Sequence, residues 1–397
     1  MSMSTVSLRD IVEAKTGTRN PTALPDESFT YVDVASVDNN VKAIFGARSL
    51  LGLEAPSRAR KVIRQGDILV STIRPNLNAV ALVPADLDGQ IASTGFCVLR
   101  PTDHVLSEYL FYFVQSQSFV SSLCTLVAGA MYPAVSDSQV LDQRIPFPEL
   151  VEQRRIVDLL SRAEGIVRLR RDAQKKAAEL IPAIFVEMFG DPATNPKGWP
   201  TLPLNEVSKV ISGVAKGRQL SGDDLIELPY MRVGNVKDGH LDLSEVKTME
   251  IKRSEAEKLR IEPGDLLMTE GGDPDKLGRA ALWRGEIDLC VHQNHIFKVR
   301  SNRALLSPEY LRSLAGSAYG KAYFLRVAKK TTGIASINKT QLSAFPVVLP
   351  PRAIQEVFNR HVQSAESIMA QQDDASDKAR ATFEALLARS FTTEALA

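Results

Sequence analysis

Between Pro148 and Phe189, apolar residues recur in alternating steps of three and four. Ile156, Leu159, Ala163, Ile166, Ala173, Ala177, Leu180 and Ile184 hold the row, and only Arg170 interrupts it. So narrow a row predicts a long helix that packs along a partner helix rather than lying on a globule. The same chain supplies the partner. A shift of 202 residues carries Pro148 to Pro350, Gln153 to Gln355, Ile156 to Phe358, Ala163 to Ala365, Ile166 to Ile368, Ala173 to Ala375, Ala177 to Ala379, Ile184 to Leu386 and Phe189 to Phe391. A period of half the chain predicts a duplication. Pro182 lacks an N–H and sits inside the first helix, which predicts a kink near Ala178 to Pro182.

Outside the helices the repeat continues with small drifts. Gly66-Asp67-Ile68-Leu69 answers Gly264-Asp265-Leu266-Leu267, Leu106-Ser107 with Tyr109-Leu110 answers Leu306-Ser307 with Tyr310-Leu311, and Gln139-Val140 answers Gln341-Leu342. Alternation and turn residues predict strands at Phe29–Val34, after Gly66, at Ala79–Val83, at Phe96–Leu99, at Tyr230–Val236 and after Gly264. Ser107 to Phe119 reads as a helix with Ser107 as its N-cap. The anchors match and the stretches between them diverge, as a shared scaffold carrying two different faces requires; drift after duplication gives the same pattern.

Phe147-Pro148-Glu149-Leu150-Val151-Glu152-Gln153-Arg154-Arg155-Ile156 opens the first long helix. Glu187-Met188-Phe189-Gly190-Asp191-Pro192 and Asn195-Pro196-Lys197-Gly198-Trp199-Pro200 follow it. These residues resemble the central conserved region of type I restriction–modification specificity subunits, and the resemblance spans nearly the whole chain. The second copy departs from the pattern, with Arg352-Ala353-Ile354 where the first has Leu150-Val151-Glu152. The family implies an α+β (mixed α/β) fold, in which two pseudo-twofold-related target-recognition domains are separated by two long antiparallel helices that form a coiled coil. Residues 1–149 are then the first recognition domain, 150–190 the central conserved helix, 191–349 the second recognition domain and 350–397 the C-terminal conserved helix. An antiparallel pair also sets the middles of the helices together, so Arg170 and its counterpart Gln372 would meet and fix the register; the alternative is that the seam rotates there and both side chains reach solvent.

The chain has 397 residues, a length that suits two domains plus helices. It has no apolar run of membrane-spanning length, and Met1 to Asp10 lacks the basic start and apolar core of a signal peptide. Cys97, Cys124 and Cys290 stand singly, which indicates neither a disulfide framework nor a zinc site and fits a reducing cytoplasm. Net charge is +1, against a tail-driven nucleic-acid binder. By segment the net is −3 over 1–150, +2 over 151–190, +4 over 191–350 and −2 over 351–397. Any affinity for DNA must therefore come from local patches or from a partner.

Arginine and asparagine fit guanine and adenine edges, and lysine meets phosphates. In the first half the candidates are Arg58, Arg60, Lys61 and Arg64, followed by Arg74, Asn76 and Asn78. In the second half they are Lys216, Arg218, Arg232, Asn235, Lys276, Arg279, Lys329, Lys330 and Thr332. The alternative for each is an ordinary solvated loop. Tyr132 lies either in a loop that meets DNA or in a packed turn.

Enzymatic readings fail on the letters. Asn195-Pro196-Lys197-Gly198 lacks the second proline and the aromatic residue of an adenine methyltransferase motif. Pro274-Asp275 is followed by Glu286-Ile287-Asp288, without the lysine of a metal-dependent nuclease, and the chain has no phosphate-binding Gly-x4-Gly-Lys loop. In a strand, His292 and His295 would point to opposite faces, so no metal site is expected. The resemblance therefore implies a non-catalytic subunit that reads a split, asymmetric site in double-stranded DNA. It would dock methyltransferase subunits, two of them, and through the complex the restriction subunits. S-adenosylmethionine, ATP and magnesium would belong to those partners. A helix of about 40 residues spans about 60 Å, enough to hold domains about one DNA turn of 34 Å apart. The alternative is a non-enzymatic scaffold with a helical spacer that binds proteins. The sequence leaves open the recognised bases and their spacing, the residues that touch them, whether the complex restricts or only methylates, and the oligomeric state of the chain alone.

Overall fold

The computed structural model describes residues 4–127, 133–215, 224–273, 276–331 and 334–392. The chain forms two compact units, residues 1–172 with 374–397 and residues 173–373. Each unit holds one globular domain together with a part of both long helices.

In the first unit, strand Ser28–Val32 pairs antiparallel with Arg48–Leu51 and parallel with Ile91–Ser93. Strand Ile68–Ser71 lies between Phe96–Leu99 and Val80–Leu82, and Thr5–Ser7 closes against Arg144–Pro146. The second unit repeats these pairings, although it adds strand Ser208–Ser212 beside Ile296–Ser301, while among the described strands the first unit alone adds Ala59–Val62 beside Ile91–Ser93. Leu225–Met231 pairs antiparallel with Lys247–Lys252 and parallel with Val291–His292. Leu266–Thr269 lies between Ile296–Ser301 and Ala280–Leu282, and Thr201–Pro203 closes against Pro346–Val348.

The duplication extends to single hydrogen bonds. Arg100 grips the buried Asp67 through Nε and Nη2 at 2.8 and 2.7 Å, and Arg300 grips Asp265 in the same way at 2.7 and 2.7 Å. Gln153 Oε1 accepts from Leu106 N at 2.9 Å while Nε2 donates to His104 O and Pro148 O; Gln355 does the same with Ser307 N, Leu305 O and Pro350 O. Both glutamines are fully buried, so a side chain without two acceptors and a donor in reach would leave orphaned polar groups there.

Helix Leu150–Ala178 stops at Glu179 and resumes as Leu180–Phe189. The break is the predicted kink: Pro182 has no N–H to offer the carbonyl of residue 178. Helix Arg352–Ser390 is continuous. Within each unit the two helices run antiparallel. In the first, Ile156 and Leu160 share a core with Leu387 and Phe391; in the second, Phe185 and Phe189 share one with Phe358 and Val362. Phe391 seats on Tyr109 and Phe113, with ring centres 5.2 and 5.5 Å apart, and Phe189 seats on Tyr310 at 4.8 Å. Each helix therefore ends on the domain of the other copy.

Several expectations are corrected. The buried face of the central helix runs through Gln153, Ile156, Leu160, Ala177 and Phe185, while Leu159 and Ile166 are 40% and 52% exposed. A heptad count drifts against 3.6 residues per turn, so Leu159 and Ile166 turn away from the core while Ile156 and Ala177 of the same row stay buried. Arg170 is on the exposed side and Gln372 is half-buried. They belong to different units, so their pairing remains a proposal. Ser107 to Phe119 is two helices, Ser107–Gln115 and Gln117–Thr125, because Ser116 leaves the helical path and caps Phe119 N at 3.3 Å. Ser107 is the first helical residue rather than the cap, which is Leu106. The strand expected at Tyr230–Val236 ends at Met231 and gives way to a short 3-10 turn, Val233–Asn235.

Candidate nucleic-acid interface

The strands after Gly66 and Gly264 each end in a connector, and one backbone frame holds both connectors. In the first domain, Ser71 N donates to Ala79 O at 2.9 Å, Thr72 N to Gly95 O at 2.9 Å and Val135 N to Thr72 O at 2.9 Å. In the second, Thr269 N donates to Arg279 O at 3.0 Å, Glu270 N to His295 O at 3.0 Å and Ile337 N to Glu270 O at 2.8 Å. The bridge between Ile73 and Ala134 has its counterpart between Gly271 and Ser336.

On this frame the two connectors differ. The first carries Arg74, Asn76 and Asn78 around the 3-10 turn Pro75–Leu77. Arg74 N donates to Pro133 O at 2.8 Å and Asn78 Nδ2 to Gln115 O at 3.3 Å, and Arg74 and Asn76 are exposed. Arg58 stands at the same end of the domain, its carbonyl taken by Thr94 N at 2.9 Å and its side chain exposed. The second connector carries Lys276, ion-paired with Asp273, and the half-buried Arg279. Beside it, strand Lys329–Thr331 pairs with Ile334–Ser336, which pairs in turn with Gly271–Gly272. That small sheet sets the exposed Lys329 and Lys330 next to the connector. At Gly271 a Cβ would meet Ala335 O at 2.8 Å, so the close approach requires glycine. His295 faces Glu270 at 2.7 Å on the same rim.

Other candidates have structural duties. Lys61 donates to Phe96 O at 2.6 Å and pairs with Asp137, which consumes its charge inside the domain. Arg60 is half-buried and donates to Ala59 O at 2.7 Å. Arg64 is exposed at the opposite end of strand Ile68–Ser71, where Arg64 N donates to Asp67 Oδ2, so it does not join Arg74. Asn235 is buried; its Oδ1 accepts from Arg232 N at 3.0 Å and its Nδ2 donates to Asp242 O and Glu245 O. Arg232 donates to Glu245 at 3.0 and 3.1 Å. Ser36 does for Asp33 what Asn235 does for Arg232, accepting its backbone N–H at 3.3 Å, which marks the motif as a repeated cap. Lys216, Arg218, Thr332 and Tyr132 lie outside the described residues.

The two histidines do not share a strand. His292 is fully buried with Nδ1 on Ile296 O at 3.0 Å, and burial holds its pKa down to about 4; His295 is exposed beyond the strand's end. Among the described residues no group of three or more histidine, cysteine, aspartate or glutamate side chains is placed to hold a metal. No described helix is long and apolar enough to cross a membrane. Burial pushes the thiols of Cys97 and Cys290 up to about 12, so neither is a nucleophile.

Lys42 gave no signal in the sequence yet belongs to the first connector. Its ammonium donates to Asn78 O at 2.7 Å, and burial lowers its pKa to about 8.

Residues 2–179 match the model of the type I restriction modification DNA specificity domain. The chain is 26% identical to the EcoKI type I restriction enzyme specificity subunit of Escherichia coli K12 over 326 residues, 75% of this chain and 68% of that one. It is 24% identical to the StySPI specificity subunit of Salmonella potsdam over 321 residues, with the same shares. It also resembles a chain solved for work on complex assembly and conformational transition of the type I R-M system, at 29% identity and a TM-score of 0.67, covering 100% of this chain and 98% of that one.

Proposed function

We propose that the chain is a member of the type I restriction–modification DNA specificity family, as the match over residues 2–179 and the 29% identity to a solved chain support, and that it is the non-catalytic subunit through which such a complex reads a bipartite, asymmetric site in double-stranded DNA. The observation that carries this reading is the pair of connectors, in which one hydrogen-bond frame presents Arg74 and Asn76 in one domain and Lys276, Arg279, Lys329 and Lys330 in the other. A conserved frame with divergent tips is what two half-sites of different sequence demand.

Methyltransferase subunits dock on the helices. Leu159, Ile166 and Leu169 are 40%, 52% and 67% exposed, an apolar row that the chain itself leaves open to a partner helix. Ile368, which answers Ile166, is 44% exposed on the second helix, in keeping with two such subunits. S-adenosylmethionine, ATP and magnesium chemistry, and restriction subunits, enter with the assembled cytoplasmic complex.

The test is to assemble the chain with its methyltransferase subunits and sequence the methylated bases. A single split motif is expected, with binding that weakens steeply as salt rises through counterion release. The chain alone should transfer no tritium from S-adenosylmethionine to DNA. Salt-insensitive, sequence-independent behaviour of the complex would favour the protein-binding scaffold instead.

A further inference from the structure

Five non-glycine residues among those described adopt positive φ, and three of them, Lys42 (56°), Arg74 (50°) and Asn78 (46°), converge on the first connector. Left-handed backbone is unfavourable for residues with a Cβ and persists only where the surroundings over-determine it. Here the surroundings can be named. Pro75 pre-sets the turn, Pro133 O holds Arg74 N, Gln115 O holds the Asn78 amide, and Lys42 Nζ reaches Asn78 O.

Lys42 is itself pinned. It closes the turn of a small hairpin, Val37–Asp38 against Ala43–Ile44, and Lys42 N donates to Asp38 O at 2.8 Å. Asp38 Oδ1 accepts from Asn40 N and Val41 N at 2.7 and 3.0 Å, so the loop that aims the ammonium is fixed before any ligand arrives. In the second domain the hairpin bridged at Val236 and Leu241 touches the matching connector through a backbone donor, Gly239 N to Ala280 O at 2.9 Å. The joint is common to both copies; among the described residues the first closes it with the Lys42 ammonium and the second with a backbone N–H.

What the turn presents outward is Arg74, Asn76 and Leu77, the last 46% exposed. An arginine suits a guanine edge, an asparagine an adenine edge and an apolar tip a thymine methyl. We propose that Lys42 is a positioning residue that holds the Arg74–Asn78 turn as a rigid reading element for one half-site, with Arg74, Asn76 and Leu77 meeting base edges. This rests on the DNA-reading function above.

The experiment uses the chain assembled with its methyltransferase subunits and a duplex library randomised across both half-sites, with methylation read by sequencing. Lys42→Met, which keeps the stem and removes the charge, should lower discrimination by roughly 5- to 150-fold at one or two positions of one half-site, the range of a lost bidentate contact. The other half-site should be unchanged, and Lys42→Arg should restore the motif. Asn78→Gly leaves Lys42 in place but frees the turn, and should relax the same positions; it serves if Lys42→Met fails to fold. A folded Lys42→Met complex with an unaltered motif, or one relaxed equally in both half-sites, overturns the positioning role while DNA reading stands. A wild-type complex that methylates without sequence preference overturns both.

Discussion

Truncating Phe391 to alanine tests the exchange of helix ends between the two copies. Phe391 is 6% exposed and packs against Tyr109 and Phe113 at 5.2 and 5.5 Å. Removing a buried phenylalanine costs about 3–5 kcal/mol, of which each aromatic contact supplies about 0.5–1.5 kcal/mol. The loss should fall on the first unit alone. Both tryptophans of the chain, Trp199 and Trp283, lie in the second unit, so indole fluorescence follows that unit while circular dichroism at 222 nm follows the helices of both. In urea, with a slope of about 2–3 kcal/mol per molar, Phe391→Ala should lower the dichroism midpoint by about 1–2 M and leave the fluorescence midpoint in place. Phe189→Ala should lower the fluorescence midpoint together with the second unit's share of the dichroism signal, because Phe189 lies 5.8 Å from Trp199 and 4.8 Å from Tyr310. The reasoning is refuted if Phe391→Ala moves the fluorescence transition as far as the dichroism transition, or moves neither by the equivalent of about 1 kcal/mol.

Asp67→Asn would strand the buried Arg100 guanidinium, and a loss of about 3–5 kcal/mol is expected by urea unfolding; a loss below about 1 kcal/mol would mean that Glu13, 3.5 Å from Arg100, suffices as its partner. His292 is held neutral by burial, its pKa lowered from 6.5 to about 4. Its contribution to stability is therefore complete above pH 6.5 and disappears as pH falls through about 4, at about 3 kcal/mol in all. His292→Gln should flatten that part of the fluorescence-monitored acid transition, and an unchanged pH profile would count against it.

The duplication was legible because buried side chains with fixed partners keep their spacing. Gln153 and Gln355, Tyr109 and Tyr310, and Phe189 and Phe391 each fill the same place twice. Pro182 announced its kink because the missing N–H acts locally. The face of the central helix was not legible, since steps of three and four from Ile156 reach Leu159 as readily as Leu160 and only tertiary packing buries the second. Arg64 and Arg74 look like neighbours in the sequence, but the intervening strand carries them to opposite ends of the domain. Asn235 reads as a base-recognising residue by type and is spent as a cap. Lys42 beside two asparagines carries no pattern at all until a left-handed turn brings it to Asn78.

The fastenings between domains and helices have a consequence for heredity. Each domain is secured by a glutamine that satisfies two carbonyls and an amide, a tyrosine hydroxyl bonded to Pro146 O or Val348 O, and a phenylalanine from the other copy's helix. None of these residues lies in a connector. A recombination event that crosses within the two repeated helices would replace everything between two fastenings and find the same sockets waiting. New specificities can then be acquired by exchanging whole cassettes in one step, with no intermediate chain that must survive a poorly seated domain.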